Sequence, residues 1–142
     1  MILSPTKFLS EIMNNSDIEK YSVLLCDALY MDLKMRTLRL HEAGVSTGEN
    51  VDYHLQRIEQ IKNEGMDSEF YLETGRKYYK LVHKDSNQRS VHCFIDKTTG
   101  DVLKSASWNA PAKGVRFNLL DEQSREMCYN RCDWAGGYLY AR

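Results

Sequence analysis

The hydrophobic period of this chain changes once, near Gly65, and that change divides it into a helical part and a sheet part. Before Gly65 apolar residues return every three or four positions, as one face of a helix requires. After it they tend toward alternation, the pattern of strands whose two sides meet different surroundings. A helical stretch followed by a run of short strands predicts an α+β fold. The expected architecture is one domain spanning residues 1–142. Its helical layer, residues 1–65, packs on a small antiparallel sheet within residues 66–142, and a last helix and a short final strand close the chain.

Local signals set the expected boundaries. Ser4-Pro5 reads as an N-cap with proline at the first helical position, opening a short helix with Phe8, Leu9, Ile12 and Met13 on its apolar side. Asn14-Asn15 is expected to end it, and Ser16-Asp17-Ile18-Glu19 fits a capping box for a second helix running to about Leu40. Ile18, Tyr21, Leu25, Leu29, Leu33 and Leu40 share one side of that helix. Val23, Leu24, Ala28, Met31, Met35 and Leu38 lie elsewhere, so more than one partner must cover it: the sheet, a neighbouring helix, or a second subunit. Gly44 suits a helix C-terminus. Ser46-Thr47-Gly48-Glu49 fits another capping box, before a helix with the stripe Val51, Leu55, Ile58 and Ile61 that stops near Gly65.

Strands are expected over Phe70–Thr74, Lys77–His83, Ser90–Ile95 and Val102–Ala106. The last two flank Asp96-Lys97-Thr98-Thr99-Gly100-Asp101, where the glycine supplies the positive φ of a hairpin turn. If Asp96 faces Asp101, Ile95 pairs with Val102 and Cys93 with Lys104 on one face, Phe94 with Leu103 and His92 with Ser105 on the other. Pro111 and Gly114 argue against a helix or central strand over 107–118. Asp121 can cap a last helix carrying Met127, Cys128 and Cys132, and the glycines of Trp134–Arg142 suggest a turn into the final strand.

Charge is distributed as unevenly as period. Residues 75–118 hold nine Lys or Arg against three acids, whereas residues 1–74 hold seven basic against thirteen acidic side chains; the whole chain has a formal charge of -1. Such a local excess attracts anions although the molecule is nearly neutral. Lys34, Arg36 and Arg39 interleave with Asp27, Asp32 and Glu42, which reads as a solvated, ion-paired helix face.

The stretch Trp108-Asn109-Ala110-Pro111-Ala112-Lys113-Gly114-Val115-Arg116 unites an indole, an amide, two cations and a glycine, groups that suit a phosphate beside a flat base. Lys77, Tyr78, Tyr79, Lys80, Arg89, His92 and Lys104 extend the candidate site. The opposing reading makes Trp108 a core plug and Arg116 the partner of an acid on the N-terminal helices. No G-x-x-x-x-G-K-[ST], G-x-S-x-G or H-E-x-x-H motif occurs, and neither His83 nor His92 begins a phosphoesterase H-x-T or H-x-S pair. His83, His92 and Lys104 would be the acid and base of a phosphoester-cleaving enzyme, the least favoured function. Cys26, Cys93, Cys128 and Cys132 read as reduced thiols, and a zinc site of Cys128 and Cys132 with Cys26 or with His92 and Cys93 is outweighed by their reading as small buried apolar groups. Neither a cofactor nor a metal is expected. The N-terminus has no basic region followed by a long apolar run, and no apolar stretch approaches ~20 residues, so a cytoplasmic protein without a membrane partner is expected.

Several phrases of the C-terminal half, Lys77-Tyr78-Tyr79-Lys80, Arg89 to Asp96, Thr99-Gly100-Asp101-Val102, Trp108 to Arg116 and Gly136-Gly137-Tyr138-Leu139-Tyr140, resemble a family of small uncharacterised proteins of tailed bacteriophages. The resemblance covers roughly residues 76–142. It implies a phage or prophage gene expressed in a bacterial cytoplasm, and it transfers no site residue. Two non-enzymatic functions follow. One is an accessory protein that holds an anionic ligand, either a nucleotide such as a host-defence signal or a nucleic acid. The other is an interaction module that docks a host protein or forms a homodimer through its helices.

Overall fold

Ile18, Leu25, Cys26, Leu29 and Leu33 recur at helical spacing and are all buried, so one side of the chain from Ile18 to Leu33 is held against the rest of the molecule. The computed structural model describes residues 5–140, with side chains described from Met13 onward. Its first element, α1, is a single helix over Pro5–Thr47, about 65 Å long at 1.5 Å per residue. The expected break at Asn14-Asn15 and restart at Ser16 are absent, and Gly44 lies inside the helix instead of ending it. Ser4 and the side chains of Phe8, Leu9 and Ile12 lie outside the described residues. Leu38 and Leu40 exchange their expected roles: Leu38 is buried, whereas Leu40 is exposed.

Helix α2, Val51–Glu64, folds back on α1. Its N-cap is Asn50, in left-handed conformation with no side-chain cap bond, so the capping box proposed at Ser46–Glu49 does not form. Thr47 instead returns its hydroxyl to the Gly44 carbonyl. The two helices meet where Gly44 faces the His54 ring and where the Nδ1 atoms of His41 and His54 lie 2.9 Å apart. Of the α2 stripe, Ile61 is buried and Leu55 remains exposed.

Gly65, at φ 83°, turns the chain from α2 into the sheet. Tyr30 of α1 fixes this corner, its hydroxyl accepting the Met66 N–H at 2.9 Å. Five strands follow: β1 Ser68–Thr74, β2 Tyr78–Asp85, β3 Gln88–Asp96, β4 Asp101–Ser105 and β5 Pro111–Asn118. They form one antiparallel meander in the order β1-β2-β3-β4-β5. The β3–β4 hairpin has the expected register in three pairs, Ile95 with Val102, Phe94 with Leu103 and Cys93 with Lys104, but the expected pair of His92 with Ser105 does not form, and the Ser105 hydroxyl donates to the Val91 carbonyl. Its turn is closed by the Asp96 carboxylate, which accepts the N–H groups of Thr98 and Thr99, and by Gly100 at φ 80°.

The segment expected to hold neither a helix nor a central strand supplies β5, an edge strand. Pro111 is tolerated because it is the first residue of an edge strand, and Gly114, at φ 98°, lies where the pairing with β4 shifts. Helix α3, Glu122–Arg131, starts as expected at Asp121, whose side chain accepts the Gln123 N–H. Among the described residues the final strand does not form, and Gly137–Leu139 is a one-turn helix, η1, instead.

The core has two layers. Ile18, Leu25, Cys26 and Leu29 of α1 meet Tyr79, Leu81, Cys93, Ile95, Val102 and Phe117 of the sheet, with Leu119, Cys128, Cys132 and Leu139 closing one end. Helix α3 is tied to α1 by the Tyr129 hydroxyl, which donates to the Tyr21 carbonyl at 2.7 Å. Among the described residues the helices α1, α2 and α3 therefore leave one sheet face uncovered. Among the described residues no helix is long and apolar enough to cross a membrane.

Candidate functional site

Strand alternation assigns each residue to a sheet face. Thr74, Tyr79, Ile95, Val102 and Phe117 pair in one row across the sheet, and most of that row belongs to the core beneath α1. Glu73, Lys80, Phe94, Leu103 and Val115 pair in the next row, which therefore faces away from the helices. Tyr71, Val82 and Val91 continue that outer face, as does Arg89 two positions before Val91.

Trp108 comes to this face from the β4–β5 connection. The connection is tight because the N–H groups of Ala106 and Ser107 both donate to the Ala110 carbonyl. The indole is 39% exposed, which contradicts its reading as a core plug. Lys80 Nζ lies 4.4 Å from its ring centroid and the Arg89 guanidinium 5.0 Å, inside the ~6 Å range of attraction between a cation and an aromatic face. Arg89 also lies 6.0 Å from the Tyr71 centroid and forms an ion pair with Glu73.

Beside this cluster is a cavity of about 290 Å³ lined by Glu73, Thr74, Gly75, Arg76, Lys77, Tyr78, Lys80, Phe94 and Asn109. Phe94 and Tyr78 meet edge to face at 5.7 Å. Three cations, two aromatic rings and a side-chain amide thus line one hollow with a single carboxylate, and that carboxylate is already paired with Arg89. Such a hollow attracts an anion electrostatically and a flat apolar group by stacking.

The structure brings together Lys77, Lys80, Arg89, Trp108 and Asn109, and separates the other four expected ligand residues. Arg116 is turned to the protein's own backbone: Nε donates to the Leu139 carbonyl at 2.6 Å, and Nη1 to those of Gly114 and Lys113 at 2.8 and 3.2 Å. It does not join the site, and among the described residues it pairs with no acid of the helices. Lys113 lies along β5. Lys104 pairs with Cys93 and so belongs to the helix-side row, with Nζ 4.6 Å over the Tyr140 ring. His92 is buried on that side, its Nε2 at 2.8 Å from the Tyr138 hydroxyl. Tyr79 likewise faces the core. Arg76, Tyr71 and Phe94 were missing from the sequence-derived set; the parity of Tyr71 with Glu73, and of Phe94 with Lys80 across the strands, is the signal that identifies two of them.

His83 and His92 do share a cavity with Lys104. Burial lowers both imidazoles, His92 to about 4, so both are neutral near pH 7. The four thiols all lie buried on the core side. Burial pushes Cys26 and Cys128 up to about 12 and Cys132 to about 11, which keeps them protonated and poor as metal ligands. Among the described residues no group of three or more His, Cys, Asp or Glu is arranged to hold a metal.

No curated protein and no solved structure matches this chain. A family model does match, over residues 6–141, and so covers the helical half as well as the sheet. The chain belongs to that family, a family of unknown function designated DUF7717.

Proposed function

We propose that the protein binds a base-bearing phosphate, as a nucleotide or a segment of single-stranded nucleic acid, on its helix-free sheet face and does not transform it. The observation that carries this reading is the partly exposed Trp108 indole flanked by Lys80 and Arg89 beside a cationic hollow. A base stacks on an indole with about 1–3 kcal/mol, whatever its identity. Lys77, Lys80 and Arg76 supply the charge for phosphate oxygens. Glu73 has a distinct part: it holds the Arg89 guanidinium until an anion displaces it, which disfavours weakly charged ligands. On the resemblance of residues 76–142 to phage proteins, the same proposal places this binding in an infected bacterial cell.

Titration calorimetry with AMP and with a short single-stranded oligonucleotide tests the reading. Saturable binding is expected from at least one, with affinity reduced about tenfold or more in Trp108→Ala and in Lys80→Ala. A strand ligand shows a steep loss of affinity with salt, because several counterions are released; a lone nucleotide shows a shallow one. Absence of saturable binding to either probe, or unchanged affinity in Trp108→Ala, refutes it.

A separate observation favours a second reading. Met13, Leu24, Met31 and Met35 lie at helical spacing along α1, and all are at least 42% exposed. Such a ridge suits a protein partner, a host protein or a second copy of this chain. Sedimentation analysis of the wild type against Leu24→Glu decides whether the ridge joins two copies.

A further inference from the structure

The helix side of the sheet contains a second concavity that the Trp108 face does not use. It is a cavity of about 340 Å³ between strands β2, β3 and β4 and the C-terminal segment, where His83, Lys104, Ser105, Trp134 and Leu139 are among the lining residues. Its size falls in the range of small-molecule sites.

Its chemistry is unfinished. The His83 ring is fixed in place, stacked on Phe70 with centroids 4.3 Å apart and planes 3° from parallel, and met edge-on by Trp134 at 6.2 Å. Yet its buried Nε2 has no hydrogen-bond partner among the described residues. A buried polar atom left unmatched is unfavourable, and a ligand atom that matches it recovers that loss. Lys104 is held by weak contacts, the Tyr140 ring at 4.6 Å and the Ser105 carbonyl at 3.4 Å. Among the described residues no carboxylate lies within 4.0 Å of it, and no acidic side chain lines the cavity.

The geometry points to a binding site for a small organic acid in this cavity: its carboxylate or phosphate group meets Lys104 Nζ and the His83 Nε2–H, and its apolar body lies against Trp134 and Leu139. Burial keeps the His83 imidazole neutral, so the ring contributes a directed N–H without a second charge, and Lys104 supplies the attraction. The site is independent of the outer face, since Lys104 and Lys80 lie in rows on opposite sides of the sheet.

The test uses the whole chain, labelled for imidazole nitrogen spectroscopy and titrated with benzoate, phenyl phosphate and the neutral benzyl alcohol. Saturable movement of the His83 ring signals with at least one of the acids is expected, and none with benzyl alcohol. Lys104→Met should weaken the acid about tenfold or more. Lys104→Gln, which keeps a polar end and serves if Lys104→Met lacks a native spectrum, should show the same loss. Trp108→Ala should leave it unchanged, which separates this site from the outer one. No saturable movement with either acid up to about 10 mM, equal affinity in the folded Lys104 variants, equal binding of benzyl alcohol, or loss of binding in Trp108→Ala overturns the assignment.

Discussion

Leu24 and Leu29 are the same residue type on the same helix, and the structure predicts very different consequences of truncating them. Leu29 is fully buried between α1 and the sheet, whereas Leu24 is 44% exposed on the outer ridge. Leu29→Ala removes three carbons from a packed core, about 2.4 kcal/mol of transfer free energy at 0.8 kcal/mol per methylene. The unfilled space adds to this, for a total of about 3–4 kcal/mol. Leu24→Ala removes a group that water already reaches, so its cost is about 1 kcal/mol or less. With a urea slope near 2 kcal/mol/M for a chain of this size, the midpoint should fall by about 2 M for Leu29→Ala and by at most about 0.5 M for Leu24→Ala. Far-UV circular dichroism of both variants, at several protein concentrations, measures this. Equal losses at a concentration where the chain is monomeric would refute the assignment of the inner face of α1. A large Leu24→Ala loss that grows with protein concentration would instead show that a second copy covers the ridge.

Acid should destabilise the fold through His92. Burial, and next to it the charge of His83, lower its pKa from 6.5 to about 4, so the unfolded chain takes up the proton first. The contribution is complete above about pH 6.5 and falls by about 3 kcal/mol as pH drops through 4, and His92→Gln should flatten the urea midpoint against pH over that window. Gly65→Ala should cost about 2 kcal/mol, because φ is 83° and the new Cβ would lie 2.6 Å from the Tyr30 hydroxyl. Tyr30→Phe in the same background should recover only the steric part, as a double-mutant cycle in urea would reveal. Cys26 and Cys128 should react with Ellman's reagent about a thousandfold more slowly than after denaturation, as expected when burial moves them from 9.0 to about 12; rapid reaction of either in the native state would contradict its placement. Asp121→Ala should cost about 1 kcal/mol by loss of the bond to the Gln123 N–H, measured as a lower melting temperature.

What was legible in the residues was legible for local reasons. The β3–β4 hairpin and the start of α3 depend on contacts within a few residues, Asp96 with the N–H groups of Thr98 and Thr99 and Asp121 with that of Gln123. Helix α1 was misjudged because Asn14, Asn15 and Gly44 each weaken a helix by only about 1 kcal/mol or less. Burial of Ile18 and Leu25 on one side of the first two positions, and α2 packed around the third, outweighs that. Strand β5 was missed because an edge strand needs one partner, and the pairing of Phe117 with Val102 leaves no mark in the neighbouring residues. The candidate site was half legible for a related reason. Charge content identified the basic segment, but strand parity decides which side of the sheet each cation faces. The irregularities at Leu81/Val82 and at Leu103 alter that parity without a sequence signal of comparable strength.

Strand β5 has a bearing on how the molecule behaves in a crowded solution. An outermost strand offers unmatched amides and carbonyls to any extended peptide, and continued addition of such peptides is how sheets grow into aggregates. Here Pro111 has no amide to offer, Gly114 interrupts the regular spacing, and the Arg116 guanidinium already occupies the carbonyls of Lys113 and Gly114. The arginine that seemed suited to an outside anion thus acts as a stopper on its own strand, and its removal would leave that border of the sheet open to recruitment.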